Sequence, residues 1–165
     1  MFSIGEKVVY GAYGVMDIVD MRDVAFDDRI RRYYVLCEVG GSSASETLVP
    51  MDNPTIVSQM KRLLTPDEMT AAIREAKEKT DLPWLPDNRA RAEHFKTVIA
   101  SGDRVAILVM IRSIVEACKR RATEGKKNCL SDETAMRKAE KVLYSEISLV
   151  MGIPLAGVAE FIESV

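Results

Sequence analysis

Ten of the chain's lysines and arginines fall between positions 84 and 127, where only five carboxylates oppose them. Arg89, Arg91 and Lys96 share one predicted helix, Arg104 and Arg112 the next, and Lys119, Arg120 and Arg121 close it ahead of Lys126 and Lys127. This stretch carries +5, between flanks of −4 (residues 1–83) and −3 (residues 128–165), although the chain as a whole carries only −2. A local basic surface still attracts phosphate, because close pairs are screened least. Lysine and arginine on phosphates position a protein on nucleic acid without reading its sequence. A solvated face is the bland alternative. The dipole of a helix C-terminus would explain Lys119, Arg120 and Arg121 but leaves the other cations unexplained.

Trp84, the only tryptophan, stands between Pro83 and Leu85-Pro86. A stiff backbone there can project the indole outward, and a flat apolar ring beside cations can stack on an exposed base or wedge a distorted base step. The competing reading makes it a plug in the seam between two domains.

Catalytic constellations are sparse. The single histidine, His94, has Glu93 beside it, but adjacent helical residues point in different directions and form no dyad. Asp17, Asp20, Asp27 and Asp28 lie where aspartate is ordinary turn material. No GxGxxG or GKS/GKT loop occurs. Cys37, Cys118 and Cys129 are odd in number and lack CxxC spacing, which points to neither a disulfide framework nor a zinc site. No enzyme activity, metal, cofactor or small-molecule ligand is expected. Tyr10, Tyr13, Tyr33 and Tyr34 raise one further option, an aromatic cage around a methylated cation, against the simpler role of packing a barrel.

The elements that must position these residues come in two kinds. Glu6 to Tyr10, Val15 to Val19, Tyr33 to Val39 and Thr47 to Val49 read as short strands rich in Val, Ile and Tyr, enough for a small, strongly bent barrel. Gly11 and Gly14 bracket a tight turn, and Gly40-Gly41-Ser42-Ser43 reads as a flexible connection. The GAYG turn does not sit between helices, so it is not a nucleic-acid clamp of the KH type. From Thr65 the pattern turns helical. Thr65-Pro66-Asp67-Glu68 carries a capping hydroxyl, a proline at the first position and a glutamate three residues on, predicting a helix from Pro66 to about Lys79. Asp87 and Asp103 are predicted to cap helices over about 88–100 and from 104 onward, the latter with a broad apolar face. Ser131 opens another that Gly152 ends, and residues 154–165 form a short last one.

The expected class is therefore α+β, with a small β domain over residues 1–60, a connector around Asp52 to Leu64, and an all-α domain over residues 61–165. The longest apolar run, Val105 to Ile111, is far short of the ~20 residues that span a bilayer. The N-terminus lacks the pattern of a secretion signal, so a cytoplasmic protein without a membrane partner is expected.

The order of segments resembles the CarD and CdnL family of bacterial transcription regulators, whose N-terminal domain is itself similar to the polymerase-interacting domain of the transcription-repair coupling factor. The segments that carry the likeness are FSIGEKVVYGAYGVMDIVD at 2–20, YYVLCEV at 33–39, LVPMDN at 48–53, a tryptophan ahead of RARAEHFKTVIASGD at 89–103, and LSDETAMRKAEKVLYSEISLVMGI at 130–153. The resemblance implies a Tudor-like (SH3-like) barrel that pairs with the RNA polymerase β subunit. It also implies a helical domain that contacts promoter DNA at the upstream edge of the transcription bubble and changes open-complex stability. Carried over by position, Trp84 is the wedge, Arg22 the basic residue after the second strand, and Leu48 stands where some members place an arginine. Gly11 replaces the usual proline after VVY, and Leu85-Pro86-Asp87-Asn88 is an insertion between the tryptophan and the arginine-rich helix. The alternative from another class is an adaptor whose helical domain docks a protein rather than DNA.

Overall fold

The first strand, Lys7–Tyr10 (β1), is buried on both faces, and this decides the architecture. Val8 and Tyr10 point into one apolar cluster with Met16, Ile18, Tyr34, Leu36, Val49 and Met60. Val9 and its cross-strand partner Val15 point the other way, into a larger cluster built by the helices. Successive side chains of a strand alternate between faces, so a run of apolar residues without alternation marks a strand covered on both sides.

The computed structural model describes residues 1–26, 28–40 and 45–165. Asp27 and the predicted Gly41-Ser42-Ser43 connection lie outside the described residues. Five antiparallel strands follow the order β4-β3-β2-β1-β5. Strand β2 runs Gly14–Phe26, β3 Arg29–Glu38, β4 Thr47–Pro50 and β5 Met60–Arg62. Four predicted strands are present, and β2 and β3 extend further than predicted into a hairpin. The reason is a bulge. The register shifts between Ile18 and Asp20, so Ile18 pairs with Leu36 while Met21 pairs with Tyr34, and both reach the same core three residues apart. An extra residue in one strand flips the alternation, and a period-two reading stops there.

The connector expected around Asp52 to Leu64 contains two elements. Asn53 caps the short helix α1, Pro54–Val57, by accepting from the Thr55 and Ile56 N–H groups at 3.1 and 3.2 Å. Strand β5 then pairs with β1, so the sheet's last strand crosses the boundary expected at residues 60/61.

Helices α2 (Pro66–Glu78), α3 (Asn88–Ser101), α4 (Arg104–Thr123), α5 (Leu130–Met151) and α6 (Val158–Ser164) form the second layer. The predicted caps are present: Thr65 and Glu68 form a reciprocal capping box, Asp87 accepts from Ala90 N–H, and Asp103 from Ala106 N–H. Glu68 also receives Arg62 and Thr65 hydrogen bonds, which hold its carboxyl down at about 2. Helix α5 lies against the sheet. Gly14, at φ +85°, takes a turn conformation that other residues rarely adopt, and the α5 backbone at Val142 lies in ordinary contact distance of it. Among the described residues no single helix is long and apolar enough to cross a membrane.

Sheet and helices are locked together by one buried ion pair. Glu146, toward the C-terminal end of α5 and 1% exposed, accepts from Arg104 Nε and Nη2 at 2.9 and 2.8 Å and from the Leu64 backbone N–H at 3.0 Å. Arg104 also donates to the Arg62 carbonyl at 2.7 Å, at the end of β5, and to the Gly102 carbonyl at 2.8 Å. One carboxylate and one guanidinium thus hold the strand-to-helix crossing, the start of α4 and the C-terminal part of α5.

Breaking a buried pair from one side leaves an uncompensated charge, which costs about 3–5 kcal/mol, whereas replacing both partners by apolar residues is often neutral. Glu146→Ala is therefore predicted to lose stability of that order in urea titration. The double variant Arg104→Met/Glu146→Leu should recover most of it.

Candidate nucleic-acid interface

The first turn of α3, the last turn of α4 and the first turn of α5 converge on Asp132. This carboxylate is buried and accepts from Arg91 Nε and Nη2, both at 2.9 Å, with Arg121 Nη1 at 3.5 Å. Two guanidiniums on one carboxylate leave the junction net positive. A like-charged cluster of this kind is tolerated because the carboxylate sits between the cations.

Several further cations of the predicted basic stretch stand exposed on the elements that flank this junction. Arg89 is exposed in the first turn of α3, and Lys119 and Arg120 are exposed in the last turns of α4. Lys126 and Lys127 are exposed in the loop that leads to α5. Three of the cations are shared with neighbouring acids: Lys119 with Glu116 at 2.8 Å, Lys126 with Glu124 at 2.7 Å, and Lys96 with Glu93 at 2.6 Å. Such exposed pairs are weak and exchangeable. Lys96 lies two turns along α3 from Arg89, about 10 Å away by helical rise, where it lines a groove with Lys138 of α5.

Arg91 and Arg104 are on the inside. At 1% and 9% exposure, both spend their donors on internal acceptors rather than facing solvent. Arg104 also lies some 24 Å along α4 from Arg120 by helical rise, at the sheet end of the molecule. Arg112 is occupied as well, donating to the carbonyls of Ala76, Lys77 and Lys79 at the C-terminal end of α2.

Trp84 is partly buried. Its ring lies over the Arg91 guanidinium, 4.3 Å from carbon to ring centroid, and meets Phe95 at 6.2 Å with a 58° tilt. Both of these partners belong to α3, and the ring also packs against the apolar cluster built by the helices. Two thiols flank the junction. Cys129, at the N-cap position of α5, has its thiol pulled down by the Ser131 hydroxyl, while burial and then Asp132 push Cys118 up. His94 is exposed on α3. Among the described residues no group of three or more His, Cys, Asp or Glu is placed to hold a metal ion.

The other predicted contact residues sit at the far end, on the sheet. Leu48 is 42% exposed on β4, and β4 has no strand on its outer side in the described sheet. Leu48 pairs with Val35 and Val35 with Asp20; Pro50 pairs with Tyr33 and Tyr33 with Arg22. The two rows share one face. Arg22 is held across it by Glu46 at 2.9 and 3.0 Å and by Asp20 at 3.2 Å. Tyr33 and Tyr34 are neighbours on β3 and point to opposite faces; Tyr34 is buried, and Tyr10 stacks on Tyr13 at 5.5 Å. The four tyrosines do not enclose one cage.

The buried partners Asp132 and Glu146 are not among the residues that sequence reasoning singles out, yet they carry a signal. Asp132, Ala135, Ala139, Val142 and Glu146 recur at three and four along α5, so two carboxylates occupy the ends of an apolar stripe. Arg91 precedes Phe95 and Ile99 at the same spacing on α3. A charge in register with a buried stripe points inward and needs a partner there. No protein-family model matches this chain, and no curated protein matches it.

Arg120 and Arg121, adjacent in sequence, have different jobs. Arg121→Ala is predicted to cost about 1–2 kcal/mol because it removes a charge from a buried carboxylate, whereas Arg120→Ala should fall within about 0.5 kcal/mol of the parent, as surface changes do. Chemical denaturation of the two variants checks this, and equal effects would contradict it.

Proposed function

We propose that this chain is a non-enzymatic bacterial transcription regulator of the CarD and CdnL type, which holds the RNA polymerase β subunit through its sheet and promoter DNA through the end of its helical layer. The observation that carries the reading is the packing of a partly buried tryptophan on Arg91, which shares Asp132 with Arg121, at helix ends and a loop that also carry the exposed Arg89, Lys119, Arg120, Lys126 and Lys127. Phosphate needs cations on a common surface, and a melted fork needs a flat ring beside them. In this reading Arg91 contributes from within, by shaping the surface, Lys96 extends it along α3, and Arg104 belongs to the sheet end and makes no DNA contact.

The sheet end supports the other half. A Tudor-like barrel is consistent with the sheet's five strands and antiparallel order, and β4 leaves an edge that a partner's strand can extend by backbone hydrogen bonds. Leu48 and the Arg22 cluster beside that edge supply one apolar and one polar contact. The work is done without covalent chemistry: the chain bridges polymerase and DNA, and each contact raises the local concentration of the other.

The test uses the full chain with purified bacterial polymerase and a promoter fragment. Removing one cation from a DNA phosphate lowers the salt slope of duplex binding by about 0.9. The triple variant Arg89→Ala/Arg120→Ala/Lys127→Ala is expected to keep polymerase capture while DNA association weakens and its salt slope flattens by about 2 to 3. DNA association with unchanged slope in the variant would favour a protein-docking adaptor instead.

A further inference from the structure

The Arg91 guanidinium is saturated. Its five N–H donors meet five acceptors: Nε and Nη2 reach Asp132 at 2.9 Å each, Nη1 reaches the Leu85 carbonyl at 2.7 Å and the Pro86 carbonyl at 3.3 Å, and Nη2 also reaches Asn88 Oδ1 at 2.8 Å. Three of these acceptors belong to the tetrapeptide Leu85-Pro86-Asp87-Asn88, and its remaining member, Asp87, caps α3 through Ala90 N–H at 2.7 Å. With every edge of the guanidinium occupied, only its flat faces remain, and Trp84 covers one of them.

We propose that Arg91, fixed by Asp132 and by the carbonyls of residues 85 and 86, is a positioning residue for Trp84. Two anchors act on the tryptophan. Arg91 draws in the two carbonyls that directly follow Trp84 in the chain, which sets the backbone direction at residue 84. The same guanidinium then attracts the indole face, an interaction that strengthens when the cation is desolvated, as it is here. The ring is thereby held in one orientation before any partner arrives, and preorganisation of this kind lowers the entropic cost of stacking. Leu85, Pro86, Asp87 and the first residue of α3, Asn88, are the mount on which the ring rests. Arginine is required, because the three donors of a lysine ammonium cannot meet all five acceptors and a point charge lacks the planar fork that spans them. Asp132 links the mount to α5, so a pull on the ring is resisted by the longest helix in the molecule.

The inference rests on the reading of Trp84 as the ring that stacks at a DNA fork, but its first readout is independent of DNA. Because Trp84 is the only tryptophan, fluorescence excited at the red edge, where the tyrosines do not absorb, reports its surroundings alone. In the full chain, Arg91→Lys is expected to shift Trp84 emission to the red and at least double its acrylamide quenching, with far-UV circular dichroism still showing the helices. Asp132→Asn, which keeps the shape, and Asn88→Ala, which removes one acceptor, are expected to move both quantities the same way by less. They decide the matter if Arg91→Lys does not fold. Emission and quenching equal to the parent in the folded variants would overturn the proposal. Lifetimes of promoter complexes with polymerase separate the two ideas. If ring exposure rises and the lifetime drops toward that of Trp84→Ala, both stand. If ring exposure rises while neither Arg91→Lys nor Trp84→Ala shortens the lifetime, Arg91 still positions the ring and the fork reading fails. A shortened lifetime with an unmoved ring would overturn the positioning role and leave the fork reading intact.

Discussion

Helix α5 carries two buried carboxylates on one stripe, Asp132 and Glu146, and each is gripped by an arginine from the start of a different helix. Charges of this kind cannot remain inside a protein alone, since an isolated buried ion costs far more than a folded domain can supply. Each carboxylate therefore dictates where its arginine goes. Glu146 draws in Arg104 and, through it, the carbonyl that ends β5 and the N–H of Leu64. Asp132 draws in Arg91 and, through it, the carbonyls that follow Trp84. The two hubs lie about 21 Å apart along α5 by helical rise. One fixes the sheet against the helices, and the other shapes the opposite end of the bundle.

This arrangement explains how a small chain can present two unlike surfaces in a fixed relation. The open edge of β4 with Leu48 and Arg22 belongs to the sheet, while the exposed cations and Trp84 belong to the helical end. A long helix with buried anchors at both ends connects them. Val9 and Val15 extend the apolar contact from the sheet into the helical cluster, and Lys141 pairs with Glu38 across the same seam at 3.2 Å. Hydrophobic burial supplies most of the adhesion. Any apolar packing must also satisfy the two buried carboxylates, which restricts the packings open to the chain.

Local structure is legible in the sequence where its causes are local. Thr65, Asp87 and Asp103 each cap the helix expected of them because a cap depends on residues within one turn. The β2–β3 hairpin is longer than its pattern suggests because the bulge at Val19 breaks the alternation on which strand reading depends. Strand β5 is invisible to periodicity because three residues, Met60, Lys61 and Arg62, are too few to show a period, and their pairing with β1 is imposed from a distance. The candidate site is legible as a charge excess but not as a surface. A count treats Arg89, Arg91 and Arg104 as equals wherever each falls on its helix, and the partners that bury two of them are some forty residues away in the chain. In one dimension the tetrapeptide after Trp84 only separates the ring from the basic face, and the carbonyls it offers to Arg91 become visible only in three.

Two ends of one rigid molecule, on this view, meet two different partners at once. Site-specific photocrosslinking in a promoter complex tests that directly, with a photoreactive residue placed at Leu48 in one variant and at Arg120 in another, both exposed positions outside the buried hubs. The probe at position 48 is predicted to crosslink to the polymerase β subunit and the probe at position 120 to promoter DNA. Crosslinking of both probes to protein, with none to DNA, would contradict it.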